Sequence, residues 1–480
     1  MTRFQRTWLI AAVVAATLMF LGPGVISAHA AQAGRRSRPN IVYILADDLG
    51  MGDLGCYGQK LLKTPNIDRL AAEGTRFTDA YAGAAVCAPA RCTLMTGLHL
   101  GHATVRGNWE VYPEGQWPLK ASDVTVAQVL KKAGYATGIC GKWGLGAPGS
   151  GSAPNDKGFD FFFGYNCQRH AHRFYTDYLY RNTQRMEIPQ SAEHRVYAQD
   201  LIAQESLNFI RQNKDRPFYL FCAWTLPHGP YRADQVPSLD AYQDTGWTDA
   251  QKVYAAMVER LDGDVGRVMA LLKELHLDQD TLVIFASDNG AGNGPANIAL
   301  FGSTAGMRAA KATLWEGGIR VPMIARWPGR VPTGRTSDFA TAFWDFLPTA
   351  AELAGASPPQ GIDGISIVPT LLGKTQRPHE YLYWEDPRAA GISKAVRMGR
   401  WKGYQANAAK PVELYDLAAD PQEARNVAAD HPDVVQKIEA IMAAAHTEVE
   451  IPKPDPRIWK KYQEDNRKLD TLLQTPAGKE

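Results

Sequence analysis

The stretch NIVYILADDLG, residues 40–50, decides the fold of this chain. The run from Asn40 to Leu45 is continuously apolar and rich in β-branched residues, which is typical of a strand buried on both faces in a parallel sheet. The predicted strand ends in two carboxylates, Asp47 and Asp48. Ligands bind beyond the carboxyl ends of the strands in an open parallel sheet. The same stretch therefore predicts both the sheet and the place of its site.

Apolar strands and helices continue to alternate downstream. One helix is opened by Thr64 and Pro65 and closed by Gly74, as expected for an N-cap, a first-turn proline and a C-terminal glycine. This alternation implies an α/β fold, with a mostly parallel sheet covered by helices on both faces. Further helices are predicted over 124–132, 196–212, 250–275 and 341–354, and further strands over 135–140, 217–224, 281–286 and 318–327.

The pattern changes from about residue 376. Short aromatic segments separated by turn residues predict a small antiparallel sheet, followed by a helix over 431–445. We therefore divide the chain into a catalytic α/β domain over 39–375, a C-terminal subdomain over 376–450 and a tail over 451–480, and we expect the tail to wrap over the surface or fray. The four predicted strands of the small sheet are 381–385, 393–398, 401–404 and 413–416.

The first thirty residues have the features of a signal peptide. Two arginines precede an apolar run over 8–21, and A-x-A cleavage motifs end at Ala30 and Ala33. The run is shorter than the roughly 20 residues that span a bilayer. We expect an exported protein, periplasmic or extracellular, with residues 31–38 as a basic linker and no stable membrane span. An uncleaved membrane anchor is the alternative.

Composition and charge exclude several classes of protein. A chain of 480 residues that is 45% hydrophobic and 21% charged is not disordered, collagen-like or a small disulfide-stapled scaffold. Lysine and arginine number 52 against 50 acidic residues, a balance that argues against nucleic-acid binding. The six cysteines show no zinc-site spacing, and export would allow disulfides whose pairing stays open.

Three predicted strands are followed by polar residues that would meet at one edge of the sheet. Asp47 and Asp48 follow the first, His228 follows the second, and Asp288 with Asn289 follows the third. Three neighbouring carboxylates repel one another unless a cation lies between them, and oxygen ligands suit Ca²⁺ or Mg²⁺. Taken singly, each acidic pair is equally typical of a helix cap or a turn.

A candidate nucleophile lies at the start of a predicted helix. Cys87 opens the stretch CAPAR at a predicted helix N-terminus, where the backbone N–H groups favour a bound anion. Arg91 follows one helical turn later and can bring its guanidinium towards the same anion. An unmodified cysteine there could have a low pKa, and the alternative is a buried structural thiol. Lys142 and Lys311 lie beside glycine-rich turns that allow close approach to a ligand. The alternative for each lysine is a solvated surface charge, and the alternative for His228 is a structural histidine.

These segments, taken in order, resemble the type I, formylglycine-dependent sulfatases of the alkaline phosphatase superfamily. The resemblance runs from about Pro39 to Gly329 and continues through 397–402 and 413–417, and the C-x-P-x-R element is its most specific part. It implies an alkaline-phosphatase-like, mostly parallel mixed sheet sandwiched by helices, with a small C-terminal antiparallel sheet plus helix. It also implies hydrolysis of aryl or carbohydrate sulfate esters to an alcohol and inorganic sulfate.

The resemblance further implies a role for each site residue. A formylglycine-generating maturation enzyme oxidises Cys87, and the hydrated aldehyde attacks sulfur with one hydroxyl and expels sulfate with the other. Arg91, Lys142 and Lys311 balance the sulfate charge. His228 contacts sulfate and, with Lys311, helps to protonate the leaving oxygen. The implied Ca²⁺ ligands are Asp47, Asp48, the modified Cys87, Asp288 and Asn289.

The chain departs from the family pattern at Gly144, where many relatives carry a histidine that assists sulfate release. We hypothesise that His170 or His172 points into the pocket instead, with His102 as a further candidate; the alternative is that both line a loop. Residues 150–190, rich in aromatics, arginine and histidine, are expected to form part of the pocket wall, with a preference for carbohydrate sulfates. A phosphonate or phosphodiester hydrolase and a non-catalytic glycan-binding protein remain alternatives on the same scaffold.

Overall fold

A ten-stranded sheet runs through the part of the chain that the structure, a computed structural model, describes, which is residues 38–387 and 391–474. Its strand order is β11-β2-β10-β9-β1-β8-β4-β5-β6-β7, and the five central strands from β9 to β5 are parallel. In chain order the strands of this sheet are β1 (Asn40–Ala46), β2 (Thr75–Phe77), β4 (Ala136–Lys142), β5 (Phe161–Tyr165), β6 (Tyr178–Arg181), β7 (Gln184–Glu187), β8 (Phe218–Ala223), β9 (Thr281–Ser287), β10 (Met323–Arg326) and β11 (Arg335–Ser337).

Helices cover both faces of the sheet, and the α/β class predicted from the sequence is confirmed. Along β1, Val42 and Ile44 belong to one hydrophobic core, whereas Ile41, Tyr43 and Leu45 belong to the other. The helices are α1 (Pro65–Ala72), α2 (Cys87–Thr96), α3 (Val126–Lys132), α4 (Ala198–Gln212), α5 (Asp249–Glu274), α6 (Pro295–Phe301), α7 (Glu316–Ile319), α8 (Phe346–Ala354), α9 (Val368–Leu371), α10 (Pro432–Ala444) and α11 (Pro456–Gln474). Short 3-10 helices cover Met51–Asp53, Gly55–Tyr57, His170–His172, Ala233–Gln235, Asp240–Thr245, Asp278–Asp280, Phe343–Asp345 and Ala428–Asp430.

The parallel register brings the carboxyl ends of the central strands together. Ala46 of β1 lies opposite Ser287 of β9, so the acidic residues that follow both strands emerge side by side. On the other flank of β1, Leu45 pairs with Ala223 of β8, and β4 ends beside them at Lys142. The polar segments at the ends of four strands therefore lie on one edge of the sheet.

The segment 318–327 does not form the single predicted strand. Residues 316–319 make the helical turn α7, and only Met323–Arg326 is extended, antiparallel to β9. Gly317 explains the difference, because a Cβ there would lie 2.3 Å from the carbonyl oxygen of Ala309. Such close packing of the turn against the backbone of 308–309 requires a glycine at this position.

The predicted helix 341–354 begins later than expected. Thr341–Ala342 is the short strand β12, which pairs in parallel with β3 (Ala80–Tyr81). The side chain of Asp345 accepts hydrogen bonds from the Thr341 hydroxyl at 2.8 Å and from the backbone N–H of Ala342 at 2.9 Å. These bonds close a polar turn, so that α8 starts only at Phe346.

The C-terminal sheet and its helix follow the prediction, and the tail packs against the main domain as helix α11, the first of the two outcomes expected for it. Leu469 and Leu473 lie one turn apart on α11 and are both buried in the core that contains Val42. This apolar pair attaches the helix to the main domain. The other side chains of the helix are mostly polar and would not by themselves hold it there. The strands of the small sheet are β13 (Leu382–Asp386), β14 (Ser393–Met398), β15 (Trp401–Gln405) and β16 (Glu413–Asp416), in antiparallel order.

Some predictions concern segments outside the described residues. The predicted signal peptide over 1–30, almost all of the linker and the last residues of the tail belong to this group. Among the residues that are described, no helix combines the length and the apolar character needed to cross a membrane. All six cysteines lie in described positions and carry no disulfide.

A buried ion-pair cluster joins the small sheet to α7. Lys402 Nζ on β15 lies 2.8 Å from Glu316 Oε1 and 2.9 Å from Glu423 Oε1, and all three side chains are fully buried. Burial by itself would raise the pKa of Glu316, but Lys402 and then Arg320 lower this pKa from 4.5 to about 2. The lowered pKa contributes stability that is fully present above about pH 4.5 and is lost as the pH falls towards 2.

We expect Lys402→Met to lower the free energy of unfolding by roughly 3–5 kcal/mol, because it removes the cation between two buried carboxylates and leaves Glu423 without its ion-pair partner. Urea unfolding at neutral pH measures the loss. The exposed Lys410 offers the matched control, and Lys410→Met is expected to change stability by less than about 0.5 kcal/mol. Equal stability of the two variants would contradict the assigned role of Lys402.

Candidate active site

The side chains that follow β1, β4 and β9 meet around the first residue of α2. Cys87 Sγ lies 3.3 Å from Asp47 Oδ1, and Lys142 Nζ lies 2.5 Å from Asp47 Oδ2. Arg91 Nη2 donates to Asp288 Oδ2 at 2.9 Å and reaches Asp47 Oδ2 at 3.4 Å. All five side chains are buried, so these contacts form in a region with little water.

Helix α2 positions the two residues of the CAPAR stretch. The helix begins at Cys87 and ends before Gly97, whose φ of 72° lies in the left-handed region that favours glycine at a helix end. Arg91 follows Cys87 by one turn and therefore lies on the same face of the helix. Its Nη1 donates to the backbone oxygen of Lys142 at 2.7 Å, which fixes the guanidinium between α2 and the end of β4.

The other half of the cluster surrounds Asp48. Asn289 Nδ2 donates to Asp48 Oδ1 at 2.8 Å, and Lys311 Nζ donates to Asp48 Oδ2 at 2.7 Å. The same Lys311 Nζ lies 3.6 Å from Cys87 Sγ. His228 Nε2 lies 3.2 Å from both Lys311 Nζ and Asp48 Oδ2. The structure thus brings every residue to which the family resemblance gave a role in catalysis or metal binding into one cluster.

The tautomer of His228 follows from its two hydrogen bonds. Its Nδ1 lies 2.8 Å from the backbone oxygen of Gly229, which can only accept a hydrogen bond, so Nδ1 carries the proton. Burial lowers the pKa of His228, an effect that Asp48 opposes, so the neutral ring predominates. The lone pair on Nε2 then faces the ammonium group of Lys311, which donates to it.

The residues present fit a hard divalent cation. One ligand atom from each of Asp47, Asp48, Cys87 and His228 lies within 4.8 Å of the others. Asn289 Oδ1 is buried and accepts no hydrogen bond from any described residue, which leaves an amide oxygen available as a ligand. Because the donors are mostly carboxylate and amide oxygens, the set suits Ca²⁺ or Mg²⁺ better than zinc.

The charges of the cluster balance within the protein. Burial, and next to it the nearby Asp47, raise the pKa of Asp288 to about 6, although Arg91 and Lys142 oppose the change. Burial also opposes ionisation of Asp47, but Lys142, together with Arg91 and Lys311, holds its pKa well below the usual range. A divalent cation would give the cluster a net positive charge, which favours an anionic substrate. The balanced groups are the carboxylates of Asp47, Asp48 and Asp288 and the cations of Arg91, Lys142 and Lys311.

The unmodified thiol is not the low-pKa nucleophile that its place at a helix N-terminus allowed. Burial raises the pKa of Cys87, and Asp288 and Asp47 raise it further. These effects outweigh the helix dipole and the two lysines, because the sulfur lies in direct contact with a carboxylate.

The structure separates the two histidines proposed to replace the missing family histidine. The ring of His172 stacks on that of His228, with centroids 4.0 Å apart and planes at 13°. His170 is turned away, with Nε2 2.8 Å from Thr176 Oγ1 and Nδ1 3.5 Å from Glu114 Oε1. Only His172 therefore reaches the cluster.

The space next to Gly144 is occupied by Gln168, which the sequence did not single out. A Cβ on Gly144 would lie 2.2 Å from Gln168 Nε2, and the φ of 75° also favours glycine. Both polar atoms of the Gln168 amide are buried without a hydrogen-bond partner among the described residues. The only sequence signal for Gln168 is its place within residues 150–190, the predicted pocket wall. His102 instead pairs with Asp363 at 2.9 Å and takes no part in the cluster.

Comparisons with known proteins agree with this geometry. A family model described as sulfatase matches residues 39–356, and one described as N-sulphoglucosamine sulphohydrolase, C-terminal, matches residues 309–449. Arylsulfatase G of Rattus norvegicus is 35% identical over 415 residues, which cover 77% of this chain and 76% of that protein. N-acetylgalactosamine-6-sulfatase of Canis lupus familiaris is 33% identical over 417 residues, covering 82% and 77%. The crystal structure of Ps i-CgsB in complex with k-i-k-neocarrahexaose has a TM-score of 0.77 at 27% identity, covering 91% of this chain and 100% of that one.

We expect His172→Ala to lower kcat for the hydrolysis of 4-nitrophenyl sulfate by about tenfold or more, because the ring that orients His228 is lost. His170→Ala should mainly destabilise the fold, by roughly 1–3 kcal/mol, because it removes a buried ring together with its contacts to Thr176 Oγ1 and Glu114 Oε1. Steady-state kinetics and thermal unfolding of both variants separate the two effects. The reverse pattern would contradict the assignment.

Proposed function

Because the chain belongs to the sulfatase family and hydrolyses sulfate esters, we propose that its nucleophile is a formylglycine derived from Cys87 and that the acidic cluster around it binds Ca²⁺. One observation carries this proposal. Cys87 starts α2 with its sulfur 3.3 Å from Asp47 Oδ1 and 3.6 Å from Lys311 Nζ, so a group on its Cβ would face both a cation site and a proton donor.

The side chains of the cluster divide the work of binding and proton transfer. Arg91, Lys142 and Lys311 bind the sulfate group and balance its charge, and their ion pairs with Asp288, Asp47 and Asp48 hold them ready before the substrate arrives. Lys311 and His228, 3.2 Å apart, move a proton to the leaving oxygen. Bound Ca²⁺ would polarise a sulfate oxygen, and hydrated formylglycine would supply one hydroxyl for attack on sulfur and a second for release of sulfate.

The substrate class that we propose is a carbohydrate sulfate. Two similar proteins support it, because one is an N-acetylgalactosamine-6-sulfatase and the other is described in complex with a neocarrahexaose. The described residues also support it, since Trp109, Arg169 and Tyr462 line a cavity of about 590 Å³ beside His172. Aromatic rings and planar guanidinium groups suit the faces and hydroxyls of sugar rings.

The place of maturation and action is part of the same proposal. The CAPAR stretch at 87–91 is the segment that a formylglycine-generating enzyme would recognise, and that enzyme carries out the oxidation of the cysteine. The features of residues 1–30 support export to the periplasm or the extracellular space. The near balance of 52 basic and 50 acidic residues argues against a nucleic-acid partner.

Asp288→Asn should abolish calcium retention and lower kcat/KM for sulfate esters by at least about a hundredfold, because it removes a carboxylate from the cation site and from Arg91 together. Elemental analysis of the purified protein and initial rates measure the two effects. Asp264→Asn offers a control, since Asp264 is equally buried but pairs with Gln199 on another helix. Full activity with unchanged calcium in Asp288→Asn would refute the cation site.

Peptide mass spectrometry of protein produced together with a formylglycine-generating enzyme should find an aldehyde at Cys87. Cys92 lies in the same helix, is equally buried and serves as an internal control that stays a thiol. An active preparation with an unconverted thiol at Cys87 would rule out the proposed nucleophile.

A further inference from the structure

A cavity of about 590 Å³ lies between α11 and the candidate active site. One wall carries His172, whose ring stacks on His228 of the cluster. The same wall carries Asn108, whose Oδ1 accepts a hydrogen bond at 2.8 Å from the N–H of Ala88, the residue that follows Cys87. The volume is in the range of pockets that enclose small ligands. The cavity therefore borders the place where the sulfate ester reacts.

The opposite wall comes from the C-terminal segment 452–462. This segment lies beyond both family matches, which end at residues 356 and 449. It contributes Pro452, Lys453, Trp459 and Tyr462 to the lining. Neither family model therefore describes this wall.

Helix α11 is held firmly against the main domain. Arg169 Nη1 donates to the backbone oxygen of Ile458 at 2.8 Å, and Arg173 Nε donates to Asn466 Oδ1 at 2.9 Å. Further along the helix, Leu473 is buried in the main core. The helix is thus anchored on both sides of its cavity-facing turn, and the wall that it forms has a defined position.

Aromatic surface at this cavity is left uncovered by the protein. The side chain of Trp459 is 63% exposed, and its ring lies 5.6 Å from that of Tyr462. Four of the six exposed large hydrophobic side chains among the described residues lie in the two segments 111–112 and 451–459, next to the cavity. Exposed aromatic surface gathered at the mouth of a pocket indicates a ligand that covers it.

Polar groups between these rings indicate what the ligand is. Glu110 and Asp455 offer acceptors, and Arg169 and Lys453 offer donors, around the same cavity. Sugar hydroxyls can pair with both kinds of group, whereas a sterol or a plain aryl group would cover them without replacing their hydrogen bonds to water. The two acidic and two basic side chains also cancel, so the cavity does not specifically favour another anionic group.

From these observations we propose that segment 452–462 forms a second sugar subsite, which binds an uncharged sugar ring next to the sulfated one by stacking on Trp459. This subsite rests on the proposed function, because it presumes that the sulfated unit is held at the cluster around Cys87. It makes the enzyme selective for oligosaccharides over monosaccharide sulfates, since the neighbouring ring adds binding energy only when it is present.

The test uses the full chain with Cys87 converted and calcium bound. Sulfate release is measured by ion chromatography on oligosaccharides of defined length from carrageenan and keratan sulfate in which an uncharged ring neighbours the sulfated one, on the matching monosaccharide sulfates, and on 4-nitrophenyl sulfate. Trp459→Ala should lower the ratio of kcat/KM on the oligosaccharide to kcat/KM on the monosaccharide by about tenfold. Trp459→Tyr keeps a ring and should lower that ratio by less than about threefold.

Leu61→Ala is the control for the loss of an exposed apolar side chain, since Leu61 is 43% exposed and does not line the cavity. The control should leave the ratio unchanged. An unchanged ratio in Trp459→Ala, or wild-type activity on 4-nitrophenyl sulfate but on none of the oligosaccharides, would overturn the subsite while the sulfatase activity stands. Absence of sulfate release from every ester by the converted, calcium-bound wild type would instead refute the proposed function, and the subsite with it.

Discussion

The close approach of carboxylates at the ends of β1 and β9 is the constraint on which the rest of the site depends. Parallel pairing in register leaves no freedom here, because Ala46 lies opposite Ser287 and the next residue of each strand is an aspartate. Two buried carboxylates at this spacing are stable only with cations beside them. Arg91 from α2 and Lys142 from β4 supply these charges, and the position of the nucleophile helix follows from that requirement.

The small C-terminal sheet supports the site indirectly, because it holds in place a segment that carries one of the site residues. Lys311 lies in the segment directly before α7, and Glu316 at the start of α7 is held by Lys402 of the small sheet. The Lys311 backbone N–H also donates to the oxygen of Ala291 at 3.1 Å, which ties the same segment to the loop after β9. The buried ion pair therefore stabilises the segment that carries Lys311, and the small sheet and the cluster around Cys87 depend on each other.

Two different surfaces meet at the reaction centre. The cluster around Cys87 is built from strand ends and one helix N-terminus, and its chemistry is directed at a sulfate group. The cavity beside it is built from loops and the C-terminal helix, with the exposed indole of Trp459 and paired charges such as Arg169 and Glu110, 3.1 Å apart. The first surface is shared with the family, whereas the second lies partly outside the residues that the family models match. Our proposed sugar subsite would place selection among sulfate esters on the second surface.

The sequence by itself determined the central parallel sheet and the residues of the cluster. Buried strands show as apolar runs, and parallel strands end at one edge, so Asp47 and Asp288 had to converge. Contacts between distant segments were decided only by the tertiary structure. Of the two histidines in one 3-10 turn, backbone direction alone turns His172 to the cluster and His170 away. The seating of α11 likewise depends on a core formed by residues hundreds of positions earlier, which no local pattern in the tail records.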